Sequence, residues 1–154
     1  MYQDEEKLKK YIVESKVQGE HLSFSQSCHT VKEAATTAKA DPLNFVKNIC
    51  MIDANGQLIV AIIKGEDRAS TSQVAKALNI ERPRLATEEE ILKKTGYPSG
   101  GIPSFGYPAK FLIDPRVMEK EIIYTGGGSK YSLVKIASKE LVRINNGIIF
   151  KIRK

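Results

Sequence analysis

Apolar residues recur at Leu8, Tyr11 and Ile12 within residues 4–17, with charges between them, and this spacing predicts an amphipathic first helix. A short mixed stretch at 21–25 reads as a strand. Thr30-Val-Lys-Glu33 has the form of a capping box and opens an alanine-rich helix from residue 31 to residue 40. Asp41-Pro42 repeats a helix-start signal, with proline in the first helical position. From residue 48 the period changes. Residues 48–53 and 57–64 are apolar and β-branched, and Asn55-Gly56 between them is a hairpin signal because both residues tolerate positive φ. Residues 58–63 are continuously apolar rather than alternating, which predicts burial on both faces and a central strand.

Beyond the hairpin, Ser70-x-x-Gln73 and Thr87-x-x-Glu90 are further helix starts; the first helix runs to Leu78 and the second stops at Gly96. Residues 110–114 and 121–125 read as strands around an Asp114-Pro115 turn. Gly126-Gly127-Gly128 bends the chain into a strand at 131–136, Ser138 caps a short helix, and 147–152 form a last alternating strand. This order predicts a mixed α/β fold: one domain over residues 1–154, with a mixed sheet or partly closed barrel and helices around it.

Composition narrows the chemistry. The chain has 154 residues, 42% hydrophobic and 27% charged, ordinary values for a globular protein that buries a core without staples. No stretch approaches the ~20 apolar residues that span a bilayer, and the first residues are polar and acidic, so no membrane partner and a cytoplasmic location are expected. A net charge of +6 favours polyanionic partners. Cys28 and Cys50 are far apart, and His21 and His29 fit no metal spacing, so neither a disulfide nor a metal site is expected. No Gly-x-Ser-x-Gly is present to support a serine triad. Gly126-Gly-Gly-Ser-Lys130 lacks the spacing of a phosphate-binding loop and reads as a turn.

Two features remain. Residues 95–106, Thr-Gly-Tyr-Pro-Ser-Gly-Gly-Ile-Pro-Ser-Phe-Gly, carry four glycines and two prolines, a loop stiff in places and bare enough elsewhere to offer backbone N–H groups to an anion or polarised carbonyl. Taken alone it is an ordinary surface loop. Lys47 stands at the entrance to the first long apolar strand. A solvated strand-end lysine is the plain reading, and an ammonium held at the mouth of the core is the functional one.

Phe45-Val-Lys-Asn-Ile49, the Asn-Gly hairpin, Thr95-Gly-Tyr-x-x-Gly-Gly-Ile102 and Ile123-Tyr-x-Gly-Gly127 follow one another in an order and spacing that resemble the YbaK/ProX trans-editing family. That family includes the cysteinyl-tRNA(Pro) deacylase and the editing domain inserted in some prolyl-tRNA synthetases. The resemblance implies hydrolysis of the ester joining a wrong amino acid to tRNA, probing translation fidelity, with no cofactor. Lys47 and Gly101 would be catalytic. Gly100, Ile102, Pro103, Thr125 and Gly126 would bind the substrate. The implied partners are a tRNA acceptor end with its amino acid and prolyl-tRNA synthetase. An activated ester needs orientation and fixed dipoles more than a side-chain nucleophile. The chain departs from the family in its loop order, Gly100-Gly-Ile-Pro-Ser104 where Gly-Gly-Ile-Ser-Pro is common. It also has Gly126 at a position held by serine in cysteinyl-specific members, and Thr30 near an aromatic pocket position. Cysteine and alanine are therefore both candidate amino acids. The rival reading is a catalytically silent module of the same fold that holds a tRNA end or aminoacyl group.

Overall fold

The computed structural model describes residues 3–154. Among the described residues, eight strands form two sheets. The smaller is antiparallel, in the order β1 (Gly19–Ser23), β7 (Ser132–Ala137), β6 (Ile122–Gly126). The larger is mixed, in the order β4 (Arg84–Leu85), β2 (Val46–Ile52), β3 (Leu58–Lys64), β5 (Lys110–Ile113), β8 (Ile148–Ile149). A parallel bridge between Phe45 and Tyr124 joins β6 to the start of β2. The mixed sheet expected from the sequence is therefore present but split, and β6 leaves β2 just beyond that bridge.

β3 is the middle strand of the larger sheet, antiparallel to β2 and parallel to β5. All seven of its residues are buried, as its unbroken apolar run requires. Alternate side chains feed two cores. Val60 and Ile62 join Val46, Cys50 and Ile52 of β2 in the main cluster, with Leu8 and Ile12 of helix α1 (Gln3–Glu14) and Leu141 of α6 (Ser138–Asn145). Ile59, Ala61 and Ile63 pack on the opposite face with Met51, Leu112 and Val74 of α3 (Thr71–Leu78). Each fully buried isoleucine contributes roughly 1.5–3 kcal/mol relative to exposure.

The helix starts follow their signals. Thr30 opens α2 (Val31–Ala38) and Thr87 opens α4 (Glu88–Thr95), each with a complete capping box. Ser70 opens α3 through one hydroxyl bond to the Gln73 N–H. Asp41 starts a single 3₁₀ turn, Pro42–Asn44, rather than a longer helix.

Several elements differ from the sequence reading. β2 begins at Val46, so Lys47 lies inside the strand, opposite Ile63. In the hairpin only Gly56 takes positive φ, at 78°. Asp53 sets the turn: its carbonyl accepts from the Gly56 N–H, and its carboxylate accepts from the Asn55 and Gln57 N–H groups. This is a three-residue loop rather than a two-residue one. β5 and β6 are not neighbours. Asp114 caps a short helix, α5 (Pro115–Met118), that carries the chain from one sheet to the other. Ser138 does not cap α6; Ala137 holds that position, and the Ser138 hydroxyl donates to the Lys120 carbonyl at 2.6 Å. The last strand shrinks to two residues because buried Asp114 accepts from the N–H groups of Ile152 and Arg153, which pulls the chain off the sheet edge.

Candidate active site

A cleft opens where β6 parts from β2. Its walls come from the start of β2, the loop after α4, the end of β6 and the approach to α2, enclosing about 220 Å³. Lys47, Gly100, Gly101, Ile102, Thr125 and Gly126 all line it, together with Cys28, His29 and Thr30. The rings of Phe45 and Tyr124 stack at 4.8 Å and 15° beside the bridge that starts the split.

The glycine loop is held from both ends. Thr95 closes α4 by donating its hydroxyl to the Ile91 carbonyl and accepting from the Tyr97 N–H. Tyr97 is buried, with the Lys7 ammonium 4.4 Å from its ring centroid. A 3₁₀ turn follows, Ser99–Gly101, in which the Gly101 N–H donates to Pro98 at 3.0 Å. The next two carbonyls are tied down: Gly101 accepts from the Gly128 N–H at 2.8 Å, and Ile102 accepts from the Asn48 side-chain amide at 2.9 Å.

Asn48 organises the back of the cleft. Its amide nitrogen also reaches the Thr125 hydroxyl at 3.1 Å, and its Oδ1 accepts from the Ser104 hydroxyl at 2.6 Å. Ser104 and Thr125 are themselves 2.6 Å apart and buried. The Ser104 carbonyl accepts from Asn145. The reversed Pro103-Ser104 order thus puts a hydroxyl into a closed polar network behind the loop. Low local dielectric makes such a network stiff when complete and costly when broken.

Close backbone packing locks the loop against β6. A Cβ on Gly126 would sit 2.2 Å from the Ile102 carbonyl oxygen, and one on Gly101 would sit 2.5 Å from the Ser129 nitrogen. No side chain fits at either place. Behind them, buried Glu5 of α1 accepts from the hydroxyls of Ser23 and Ser129, at 2.7 and 2.6 Å. The His21 Nε2 lies 2.8 Å from the Gly127 carbonyl.

The site offers an ammonium and fixed dipoles; the Thr125 proton is committed to Ser104, because the Ser104 proton goes to Asn48 Oδ1. Among the described residues no carboxylate forms an ion pair with Lys47. Cys28 is a poor nucleophile: burial, helped by Glu33, pushes its thiol up to about 11. Burial pushes Cys50 up to about 12.

Six of the seven residues singled out in the sequence share this cleft. Pro103 does not line it. It is buried behind the loop, and its carbonyl accepts from the Tyr107 hydroxyl at 2.7 Å. Asn48, Ser104 and His29 were not singled out. A signal for Asn48 exists: strand alternation puts it in the core-facing row with Val46, Cys50 and Ile52, and a polar group there needs partners.

The family model for the aminoacyl-tRNA editing domain matches residues 25–144, which include every one of these cleft residues. The chain belongs to that family. Editing of a charged tRNA is a deacylation, so the chain is an aminoacyl-tRNA deacylase. Among curated relatives, the Escherichia coli multifunctional Ser/Thr-tRNA deacylase ProXp-y is 30% identical over 128 residues, covering 75% of each chain. The Bacillus subtilis protein YwhH, of uncharacterised function, is 22% identical over 77% of this chain and 76% of its own. Proline–tRNA ligase of Thermotoga neapolitana is 28% identical over 66% of this chain, a region that makes up 17% of the ligase. Two solved structures share the fold. One, described as a candidate trans-editing enzyme for prolyl-tRNA synthetase, has a TM-score of 0.90 at 20% identity and covers 100% of this chain and 99% of its own. The hypothetical protein APE2540 has a TM-score of 0.88 at 24% identity, covering 96% and 99%.

Proposed function

We propose that the chain removes a small wrong amino acid, alanine or cysteine, from tRNA(Pro), acting in trans beside prolyl-tRNA synthetase in the cytoplasm. The observation that carries the reading is the convergence of Lys47, Thr125 and the Gly100-Gly101-Ile102 backbone on one cleft of about 220 Å³. The kinship with a domain that occupies 17% of a proline–tRNA ligase supports the choice of tRNA.

In this reading Lys47 orients the aminoacyl-adenosine through one ribose or carbonyl oxygen. The glycine loop presents backbone dipoles to the ester, whose activation leaves orientation and charge stabilisation as the main tasks. Water attacks an alanyl ester; a cysteinyl ester can instead be attacked by its own thiol. Gly101 acts through its fixed backbone position, since its N–H is already donated to Pro98.

A second reading has one observation in its favour. The Thr125 oxygen stands in the cleft wall and, beyond its bonds to Asn48 and Ser104, could accept from a substrate hydroxyl, and the Escherichia coli relative is a Ser/Thr-tRNA deacylase. A deacylation screen decides between them, using tRNA(Pro) charged with alanine, cysteine or proline, and cognate tRNAs charged with serine or threonine. Faster release of alanine or cysteine from tRNA(Pro) than of any other amino acid supports the first reading. Preference for seryl or threonyl esters overturns it in favour of the second.

A further inference from the structure

A second groove, of about 400 Å³, continues from the cleft past His29 and Gly100, which belong to the walls of both. Its other walls are Asp4, Pro98, Gly128, Ser129, Lys130 and Tyr131. The Lys130 ammonium lies 5.5 Å from the Tyr131 ring centroid. That is near the ~6 Å outer limit of cation–π contact, so the ammonium can turn outward while the ring remains.

The segment is rigidly mounted. The Lys130 carbonyl accepts from the Cys28 N–H, and the Tyr131 carbonyl accepts from the Phe24 N–H. The Tyr131 N–H donates to the Ser129 hydroxyl, which itself donates to buried Glu5. An aromatic ring and a cation are thus presented side by side on a fixed backbone, next to the cleft that would hold the terminal aminoacyl-adenosine. Single-stranded RNA is held by this combination, aromatic stacking with a cation on the backbone.

We infer that this second groove binds the nucleotide preceding the terminal adenosine. This inference rests on the deacylase reading for the position of that adenosine. The base of the preceding nucleotide stacks on Tyr131, and the phosphate linking the two nucleotides meets Lys130. Asp4, the one carboxylate in the lining, repels phosphate but accepts from an exocyclic amine, as cytosine offers at N4. The phosphate therefore lies toward Lys130 and the base edge toward Asp4.

Two measurements test this. The first is binding of an uncharged single-stranded RNA with the tRNA 3′ sequence, followed by fluorescence anisotropy across a salt series. Tyr131→Ala is expected to weaken binding about 10-fold, within the range for loss of one stacked base, while Tyr131→Phe retains it. Lys130→Gln is expected to flatten the salt dependence by about 0.7 in log–log slope, one phosphate contact on a single strand. The second is hydrolysis of alanyl-adenosine against the alanyl ester of a cytidylyl-adenosine dinucleotide. Tyr131→Ala should slow the dinucleotide ester about 10-fold and leave alanyl-adenosine unchanged.

Equal slowing of both esters would reveal a structural role and overturn the inference. So would RNA binding insensitive to both Tyr131→Ala and Lys130→Gln. If RNA binding responds as expected but wild-type protein hydrolyses neither alanyl ester, the groove stands and alanine is excluded as the amino acid removed.

Discussion

The side chain of Asn48 bonds the Ile102 carbonyl at 2.9 Å through its nitrogen and the Ser104 hydroxyl at 2.6 Å through its oxygen. One strand residue thereby holds two points of the glycine loop and, through Thr125, the end of β6. Asn48→Ala leaves the Ile102 carbonyl without this donor, at a cost of about 1–3 kcal/mol for an unsatisfied buried group. The melting temperature should fall by several degrees, since 1 kcal/mol corresponds to roughly 2–4 °C at about this size. Deacylation kcat/KM should fall by about 10- to 100-fold, as expected for a misplaced loop. Asn48→Asp keeps the shape but sets an acceptor against the Ile102 carbonyl, and is expected to be no better. Calorimetry and steady-state kinetics on the two variants check both effects; unchanged kcat/KM in either would remove the positioning role.

Gly126 and the loop pack backbone to backbone. Gly126→Ala places a methyl 2.2 Å from the Ile102 carbonyl oxygen, so either β6 or the loop must shift. Forced repacking of this kind costs about 1–3 kcal/mol. The expected result is a folded, less stable protein with kcat/KM reduced at least 10-fold, about 1.4 kcal/mol of transition-state stabilisation. Wild-type activity with an unchanged melting temperature would mean the contact is not confining.

Much of this was legible in the sequence because local signals agreed with tertiary demands. Thr30 and Thr87 cap helices because a short hydroxyl three residues before glutamate satisfies two amides wherever the chain then goes. The unbroken run in β3 identified a strand covered on both faces. What stayed hidden depends on partners distant in sequence. Asp114 reads as a turn residue, yet its carboxylate gathers N–H groups from Ile152 and Arg153, and these bonds shorten the last strand. The inward turn at Pro103, which buries the residue and gives its carbonyl to the Tyr107 hydroxyl, has no local signal either. Asn48 carried a visible signal, a polar residue in a core-facing row, whose meaning appears only once Ile102 and Ser104 are beside it.

The thiols should be inert. With Cys28 pushed up to about 11 and Cys50 to about 12, almost no thiolate exists at neutral pH. Both folded-state values lie above the ordinary value of 9.0, so this contribution to stability is complete below pH 9 and is lost as pH rises toward 11–12. Iodoacetamide at pH 8 should label native protein far more slowly than urea-unfolded protein. Cys28→Ser and Cys50→Ser should retain activity. Loss of activity in folded Cys28→Ser would point to a thioester route.

Acid should loosen the start of α4. Arg84, through paired hydrogen bonds, holds the Glu90 carboxyl down to about 2, with help from the Thr87 N–H. A depressed carboxyl stabilises the fold above its ordinary value of 4.5, and that contribution is lost as pH falls from 4.5 toward 2. Arg84→Ala should raise the Glu90 titration midpoint toward 4.5 and move acid unfolding to higher pH. NMR titration of the Glu90 carboxyl checks this directly; an unmoved midpoint would show that the backbone cap alone sets it.

The most direct test of the account is single-turnover release of alanine or cysteine from mischarged tRNA(Pro), comparing wild type with Lys47→Ala and following folding by circular dichroism. Lys47 lines the cleft, and no ion pair holds it among the described residues. Its truncation should therefore leave the fold intact, with a stability change near the ±0.5 kcal/mol typical of sites outside the core. Release should slow by roughly 100- to 1000-fold, the usual loss for one positioned electrostatic group. Lys47→Arg should be slow as well, since a planar fork does not replace a compact ammonium. Full activity in folded Lys47→Ala would contradict the account.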